Sequence, residues 1–375
     1  MPQVRHSCML HLAIVGFGIC LGVVAACTST SLGAEDQSSL VSSEYRNLVP
    51  HRLLPLLHAP EVHRELDLND EQVAKLEDWF RKVDGRWLRL RIIPTEKQIH
   101  ELDRLESETR DWLEGHFDSK QNRRLRQLEW QSLGARMLLR NDFAREINIT
   151  QDQQRQFAEI AKVTDEMSKN RSQAEGDQRE NQAVQSILKE EQRRRFNSIV
   201  GRIFETQQLK RIYPMAPELL PTANWFNSQP LTLESLKGKV VLVHFYAFQC
   251  HNCQANFNVY RRWHEKLKEK GVVVLGIQTP ETPTERDPKA VCKAAMDEQL
   301  SFPILIDLES KNWDAWGNTM WPTVYVVDKR GYLRHWWQGE LNWQGATGDQ
   351  TIEKIVDIAL AESDEELGKD VGRSP

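Results

Sequence analysis

The four residues Cys250-His251-Asn252-Cys253 combine side chains that do covalent chemistry with a spacing that lets them do it. Two thiols separated by two residues can close on each other without distorting the backbone, so reversible disulfide exchange is the natural reaction. The pair follows an apolar run at 240–246 and opens a stretch of helical spacing that continues to residue 267. A cysteine at a helix N-terminus meets unpaired backbone N–H groups and the positive end of the helix dipole, and both favour a thiolate. Cys250 therefore reads as the attacking thiolate. Cys253, expected to be more buried, reads as the thiol that resolves the mixed disulfide.

Other uses of the motif fit less well. A structural zinc site needs two more ligands at metal spacing, and no second CxxC or HxxH follows. Haem attachment needs a histidine directly after the second cysteine, where this chain has Gln254. The peroxidatic frame Pro-x-x-x-Thr-x-x-Cys is occupied instead by Val243 and Ala247. Metal or copper handling and a structural disulfide remain as alternative readings of the pair. The sequence calls for no bound cofactor and no metal.

The elements around the pair alternate between strand and helix. Buried strands are expected at 240–246 and 272–277, helices at 251–267, 290–299 and 351–361, and a hairpin at 322–327 and 331–337. A CxxC at the end of the first buried strand of such an alternation is a thioredoxin signature. The run LTLESLKGKVVLVHFYAFQCHNC resembles the TlpA/ResA-like thioredoxins of the bacterial envelope. The stretches GVVVLGIQTPETPTERDPKAV and FPILIDLESKNWDAWGNTMWPTVYVVDKRG are especially similar to the exported domain of DipZ-type proteins. The resemblance covers about the last 150 residues.

That likeness implies further site residues. Pro322 falls at the family's cis-proline, facing the CxxC, with Trp321 offering its backbone to a substrate strand. Glu281 matches a glutamate that lies near the cysteine pair and could relay the proton of Cys253. His244 stands where many thioredoxins bury an aspartate, as a second relay candidate or as a hydrogen-bonded core histidine. Gln249 replaces the usual tryptophan before the first cysteine, and with His251 it joins Trp321 as a candidate client contact. A partly charged His251 imidazole would favour the Cys250 thiolate. The other tryptophans of this region (Trp313, Trp316, Trp336, Trp337 and Trp343) read as core and rim aromatics, and Cys292 as a small buried hydrophobe.

Upstream, residues 51–212 are helical in character and contain a repeat: 57–72 (LHAPEVHRELDLNDEQ) aligns without a gap to 138–153 (LLRNDFAREINITQDQ). Apolar stripes run through Val73, Leu76, Trp79 and Phe80, and through Leu125, Leu128, Leu133 and Met137. Asn69 and Thr150 occupy N-cap positions. The segments LNDEQ, FDSKQ, ITQDQ and LKEEQ resemble the LTxxQ element of the CpxP/Spy family, which implies a curved helical assembly able to bind partners or clients. His51, His58 and His63 are expected at the surface, because the second copy carries Leu139 and Ala144 opposite the last two.

The N-terminus completes the plan. Residues 1–34 read as a signal peptide, and Val24-Ala25-Ala26-Cys27 resembles a lipobox that would lipidate Cys27 and tether the chain to a membrane. Residues 35–50 read as a flexible tether, 213–363 as the α/β domain and 364–375 as a disordered tail. The fold expected is an α/β thioredoxin fold preceded by an all-α helical repeat region.

A net charge of −5 and interleaved acidic residues exclude a phosphate-binding stripe, so no nucleic-acid partner is expected. The expected protein is periplasmic or envelope-bound. It would exchange disulfides with exported proteins and be recharged by a membrane or periplasmic redox partner. The rival is a non-enzymatic, chaperone-like binding protein that uses the same fold as a scaffold.

Overall fold

The computed structural model describes residues 40–168, 173–206, 209 and 212–362. The expected signal peptide with Cys27 and the expected C-terminal tail lie outside the described residues. Nine helices precede the sheet among those described: α1 (Leu53–Leu57), α2 (Pro60–Glu65), α3 (Asp70–Arg89), α4 (Thr95–Glu114), α5 (Ser119–Leu133), α6 (Asn141–Glu146), α7 (Gln151–Ser168), α8 (Gln173–Ile187) and α9 (Glu190–Ile199). None of the described helices is long and apolar enough to cross a membrane.

The repeat has a local structural cause. In each of the four resembling segments the glutamine is the third helical residue, and its side chain accepts the backbone N–H of the N-cap residue. Those bonds are Asn69 N to Gln72 (3.2 Å), Asp118 N to Gln121 (3.0 Å), Thr150 N to Gln153 (3.0 Å) and Lys189 N to Gln192 (2.9 Å). This satisfies an amide that the start of a helix would otherwise leave unpaired. The turn before α3 and its counterpart before α7 also share a left-handed residue, Asp67 and Asn148.

Among the described residues two compact units result, one of 57–105 with 212–362, the other of 40–56 with the described part of 106–209. One division falls beside the expected break at 212/213, but helical residues 57–105 group with the α/β part. In the second unit, 40–50 is not a free tether. Val41 bridges to Arg140, while Tyr45, Leu48 and Val49, at helical spacing, are buried in a core with Trp130, Leu138, Phe143 and Phe157. Glu129 is buried there too. Burial alone would raise its pKa, but Arg110 and Arg140 outweigh burial and hold it at about 2. Gln153 and Gln192 donate amide hydrogen bonds to each other at 2.8 and 2.9 Å, joining the turn before α7 to the turn before α9.

The first unit is built on a six-stranded sheet: β1 (Trp225–Phe226), β2 (Val240–Tyr246), β3 (Val272–Gln278), β4 (Ile304–Ile306), β5 (Thr323–Val327) and β6 (Leu333–Gln338), in the order β1-β4-β3-β2-β5-β6. Strands β2, β3 and β4 are parallel, while β1, β5 and β6 join antiparallel. Helices α10 (His251–Leu267), α11 (Pro288–Asp297), α12 (Lys311–Ala315) and α13 (Gly348–Ala361) complete it. The short β1, β4 and α12 escaped the sequence reading because two- to five-residue elements carry no periodicity.

Every residue of β2 is buried, as expected of a central strand covered on both faces. Val240, Leu242 and Tyr246 face a core with Phe257, Tyr260 and Trp263 of α10, and with Ile352 and Val356 of α13. Val241, Val243 and Phe245 face a second core that includes Trp316 and Leu88 of α3. The histidines expected at the surface follow the same pattern. His58 is fully buried, stacked on Phe80 and bonded to Asp84 at 2.8 Å, and His63 is buried as well. Asp84 Oδ2 also accepts Met215 N at 2.7 Å, which fixes the start of the α/β segment to α3.

Replacing Gln153 with Ala should destabilise the second unit by about 2 kcal/mol, since it removes a cap and the Gln153 bonds to Gln192 and to the Ile187 carbonyl. Urea unfolding of the full chain reads this directly, and a loss below about 0.5 kcal/mol would mean that the pair is ornamental.

Candidate active site

Cys250 caps the N-terminus of α10, as its position after β2 requires. Its backbone is extended (φ −73°, ψ 112°), its sulfur accepts Cys253 N at 3.3 Å and its carbonyl accepts Gln254 N at 3.1 Å. The two sulfurs are paired as a disulfide with 5.2 Å between the Cα atoms. Cys250 is half-buried beside Phe248, whereas Cys253 has no exposed surface. Only one sulfur of the pair can therefore meet a partner from solvent.

Three loops collect around the pair because β2 and β3 are parallel and end together, with Tyr246 opposite Gln278. The first carries Ala247–Cys250 out of β2. The second leaves β3 at Thr279, whose N–H donates to Tyr246 O at 2.9 Å. The third enters β5 next to Phe245, at Thr323, immediately after a cis Trp321–Pro322 peptide. Asn256 of α10 couples the first and third loops: its Nδ2 donates to Gly339 O at 3.2 Å, and Gly339 N donates to Pro322 O at 2.8 Å. Trp321 is half-buried, stacked on Trp313 with 4.1 Å between ring centroids.

The remaining expected site residues divide. Gln249 and His251 are exposed on either side of Cys250. Gln249 Oε1 accepts the hydroxyl of Thr282 at 2.6 Å. Glu281 is exposed. The buried carboxylate next to the pair is that of Glu285, which accepts the Gln249 N–H at 2.7 Å. The sequence signal for Glu285 is Thr282-Pro283-Thr284-Glu285, a capping box with proline at its first helical position.

His244 is not the hydrogen-bonded core histidine of the alternative reading. It has no exposed surface, neither ring nitrogen has a hydrogen-bond partner, and it stacks on Tyr260 at 4.0 Å. Burial lowers its pKa from 6.5 to about 3, so it is a neutral aromatic of the core. Cys292 is half-buried, and burial with the Asp287 charge raises its thiol pKa. Trp343 is 60% exposed and belongs to no core. Among the described residues, no group of three or more His, Cys, Asp or Glu side chains is placed to hold a metal ion.

Comparison with known proteins agrees with this geometry. Over 157 residues the chain is 31% identical to the thiol–disulfide oxidoreductase YkuV of Bacillus subtilis, covering 42% of this chain and 100% of YkuV. The chain belongs to the thioredoxin-like thiol–disulfide oxidoreductase family. It is 38% identical over 123 residues to the protein DipZ of Mycobacterium bovis, which is 32% of this chain, and it spans only 18% of DipZ. The AhpC/TSA family matches residues 216–336. A solved thioredoxin-like protein in its oxidised form is 30% identical and covers 40% of this chain and 97% of its own, with a TM-score of 0.36.

The buried imidazole makes the oxidoreductase unit acid-sensitive. Below pH 6.5 the unfolded chain takes up a proton on His244 that the folded chain refuses, so stability falls as the pH drops from 6.5 towards 3. The loss from this residue reaches up to about 1.4 kcal/mol per pH unit. His244→Phe should flatten that part of the stability–pH curve while leaving disulfide exchange intact. An unchanged slope in chemical denaturation between pH 6 and 4 would show that His244 is not its source.

Proposed function

We propose that the protein is an exported enzyme that exchanges disulfides with other envelope proteins through Cys250 and Cys253. The observation that carries this reading is the asymmetry of the pair: a half-buried sulfur at a helix N-terminus and a wholly buried sulfur one turn on. In the reducing direction the Cys250 thiolate attacks one sulfur of a client disulfide. A Cys250–client bond forms, and the other client sulfur leaves as a thiolate. Cys253 then attacks the Cys250 sulfur, forming the intramolecular disulfide and freeing the second client sulfur. Two electrons and two protons pass from the dithiol to the client, and reversal of the same steps makes the enzyme a disulfide donor.

The surrounding residues receive matching roles. Gln249 and His251, which flank Cys250 in the chain, and Trp321 with its stacked partner Trp313 would contact the client, with Pro322 shaping the third loop. Asn256 would keep that loop in step with α10. No bound cofactor enters the reaction. The N-terminal leader directs export, Cys27 carries a lipid anchor, and the helical units position the site or recruit clients. Recharging falls to a membrane or periplasmic redox protein.

Equilibration of the purified full chain with glutathione or dithiothreitol buffers should give a reversible two-electron transition, in which a tenfold change in equilibrium constant corresponds to about 30 mV. Cys250→Ser should abolish exchange, and Cys253→Ser should accumulate a mixed disulfide with client. If the wild-type chain has no reversible transition, or if the double variant keeps full activity in cells, the binding-protein reading replaces the enzyme.

The anchor is tested separately. Cys27→Ala should move the protein from the membrane fraction to the soluble envelope fraction, and retention in the membrane would remove the lipid from this account.

A further inference from the structure

Among the described residues Glu285 is a carboxylate with no exposed surface at all, and no cation among them forms an ion pair with it. A carboxylate is almost never buried this way unless other groups satisfy it. Here three backbone amides do: Gln249 N donates to Oε1 at 2.7 Å, and Glu281 N and Thr282 N donate to Oε2 at 2.7 and 2.9 Å. The bonds at Oε2 are local: the one from Thr282 N belongs to a capping box, and the one from Glu281 N comes from the residue before that cap. The bond at Oε1 is different. It crosses from the β3–α11 connection to the residue immediately before Cys250.

The β2–α10 connection needs this acceptor. Cys250 N donates to Ala247 O, while Cys253 N and Gln254 N donate to Cys250 O, so these three amides are satisfied within the turn. The Gln249 amide is supplied from outside by Glu285. A second contact runs between the same two connections, from the Thr282 hydroxyl to Gln249 Oε1. The carboxylate also lies near the floor of the site: burial, with the charges of Cys292 and Glu285, raises the pKa of the Tyr246 hydroxyl, and Tyr246 shares a core with Cys253.

We infer that Glu285 is a positioning residue for thiol–disulfide exchange, its carboxylate holding the Gln249 amide so that the Cys250 sulfur stays at the cap of α10. The inference rests on the enzyme reading above. It assigns Glu285 no proton transfer and no contact with client. Exchange requires the Cys250 sulfur to serve two partners in turn, the client sulfur and that of Cys253, and a turn free to rotate would serve neither well. With the hold released, Cys250 drifts from the helix N-terminus, and its thiol titrates closer to an ordinary cysteine.

The test is Glu285→Gln in the full chain. The substitution keeps the volume but places an N–H donor against backbone donors, so one side of the bridge must open. The expected results are faster hydrogen exchange at the Gln249 amide, an upward shift of the Cys250 alkylation–pH profile in the reduced protein, and about a tenfold slower attack on a client disulfide. Unchanged exchange at Gln249 overturns the inference. So does a downward shift of the profile, which would mean that the carboxylate acts through its charge. If the variant fails to fold, the wild-type Gln249 amide must be protected from exchange in both the oxidised and reduced protein, and an unprotected amide overturns the inference too. Absence of any redox transition in the wild-type chain would instead remove the enzyme reading on which this one stands.

Discussion

The connection between β2 and α10 is the constraint on which the redox site depends. A central strand, buried on both faces, delivers the chain to a fixed point. A helix starts at His251, four residues after Ala247, with Cys250 as its cap. The first sulfur gains the amides of the helix end, and the second falls inward onto the core with Phe257 and Tyr260. The difference between the two thiols therefore arises from helix geometry and not from any unusual side chain nearby. His251 and Asn252, the residues between them, are both exposed.

A sheet with two apolar faces must be covered twice. Helices α10 and α13 cover one face in the expected way. On the other face, Leu88 of α3 joins the buried residues of β2, β3 and β5. Arg91, just beyond α3, donates to the carbonyls of Trp316 and Gly317 and to the Tyr325 hydroxyl at 2.6, 2.9 and 2.6 Å, with its guanidinium also against the rings of Tyr325 and Trp336. The Tyr325 hydroxyl in turn donates to Asn318, in the loop that leads to Trp321. Helical residues 57–105 thus belong physically to the oxidoreductase unit.

The glutamines of the repeat show how a weak motif acquires a firm structural meaning. LxxxQ arises easily in helical sequence, and its recurrence alone does not distinguish a spacer from a binding module. In the fold each glutamine closes a helix start, and two of them also bind each other across the second unit. The motif is an architectural device before it is anything else.

Much of this was legible in the residues. The CxxC, the buried runs flanking it and the repeat are local patterns, and helix and strand periodicity report them faithfully: the expected strand at 240–246 and helix at 251–267 are those observed. What the residues could not reveal is which polar groups lose their water. Glu281 and Glu285 are alike in type and four positions apart, yet one is exposed and the other is buried against the Gln249 amide. His58 looked like a surface histidine and His244 like a hydrogen-bonded one, but packing buried both, giving one a carboxylate and the other only aromatic rings. Burial and hydrogen-bond partners come from segments distant in the chain, so tertiary structure alone decides them, while sequence by itself determined the chemistry of the cysteine pair and the elements that carry it.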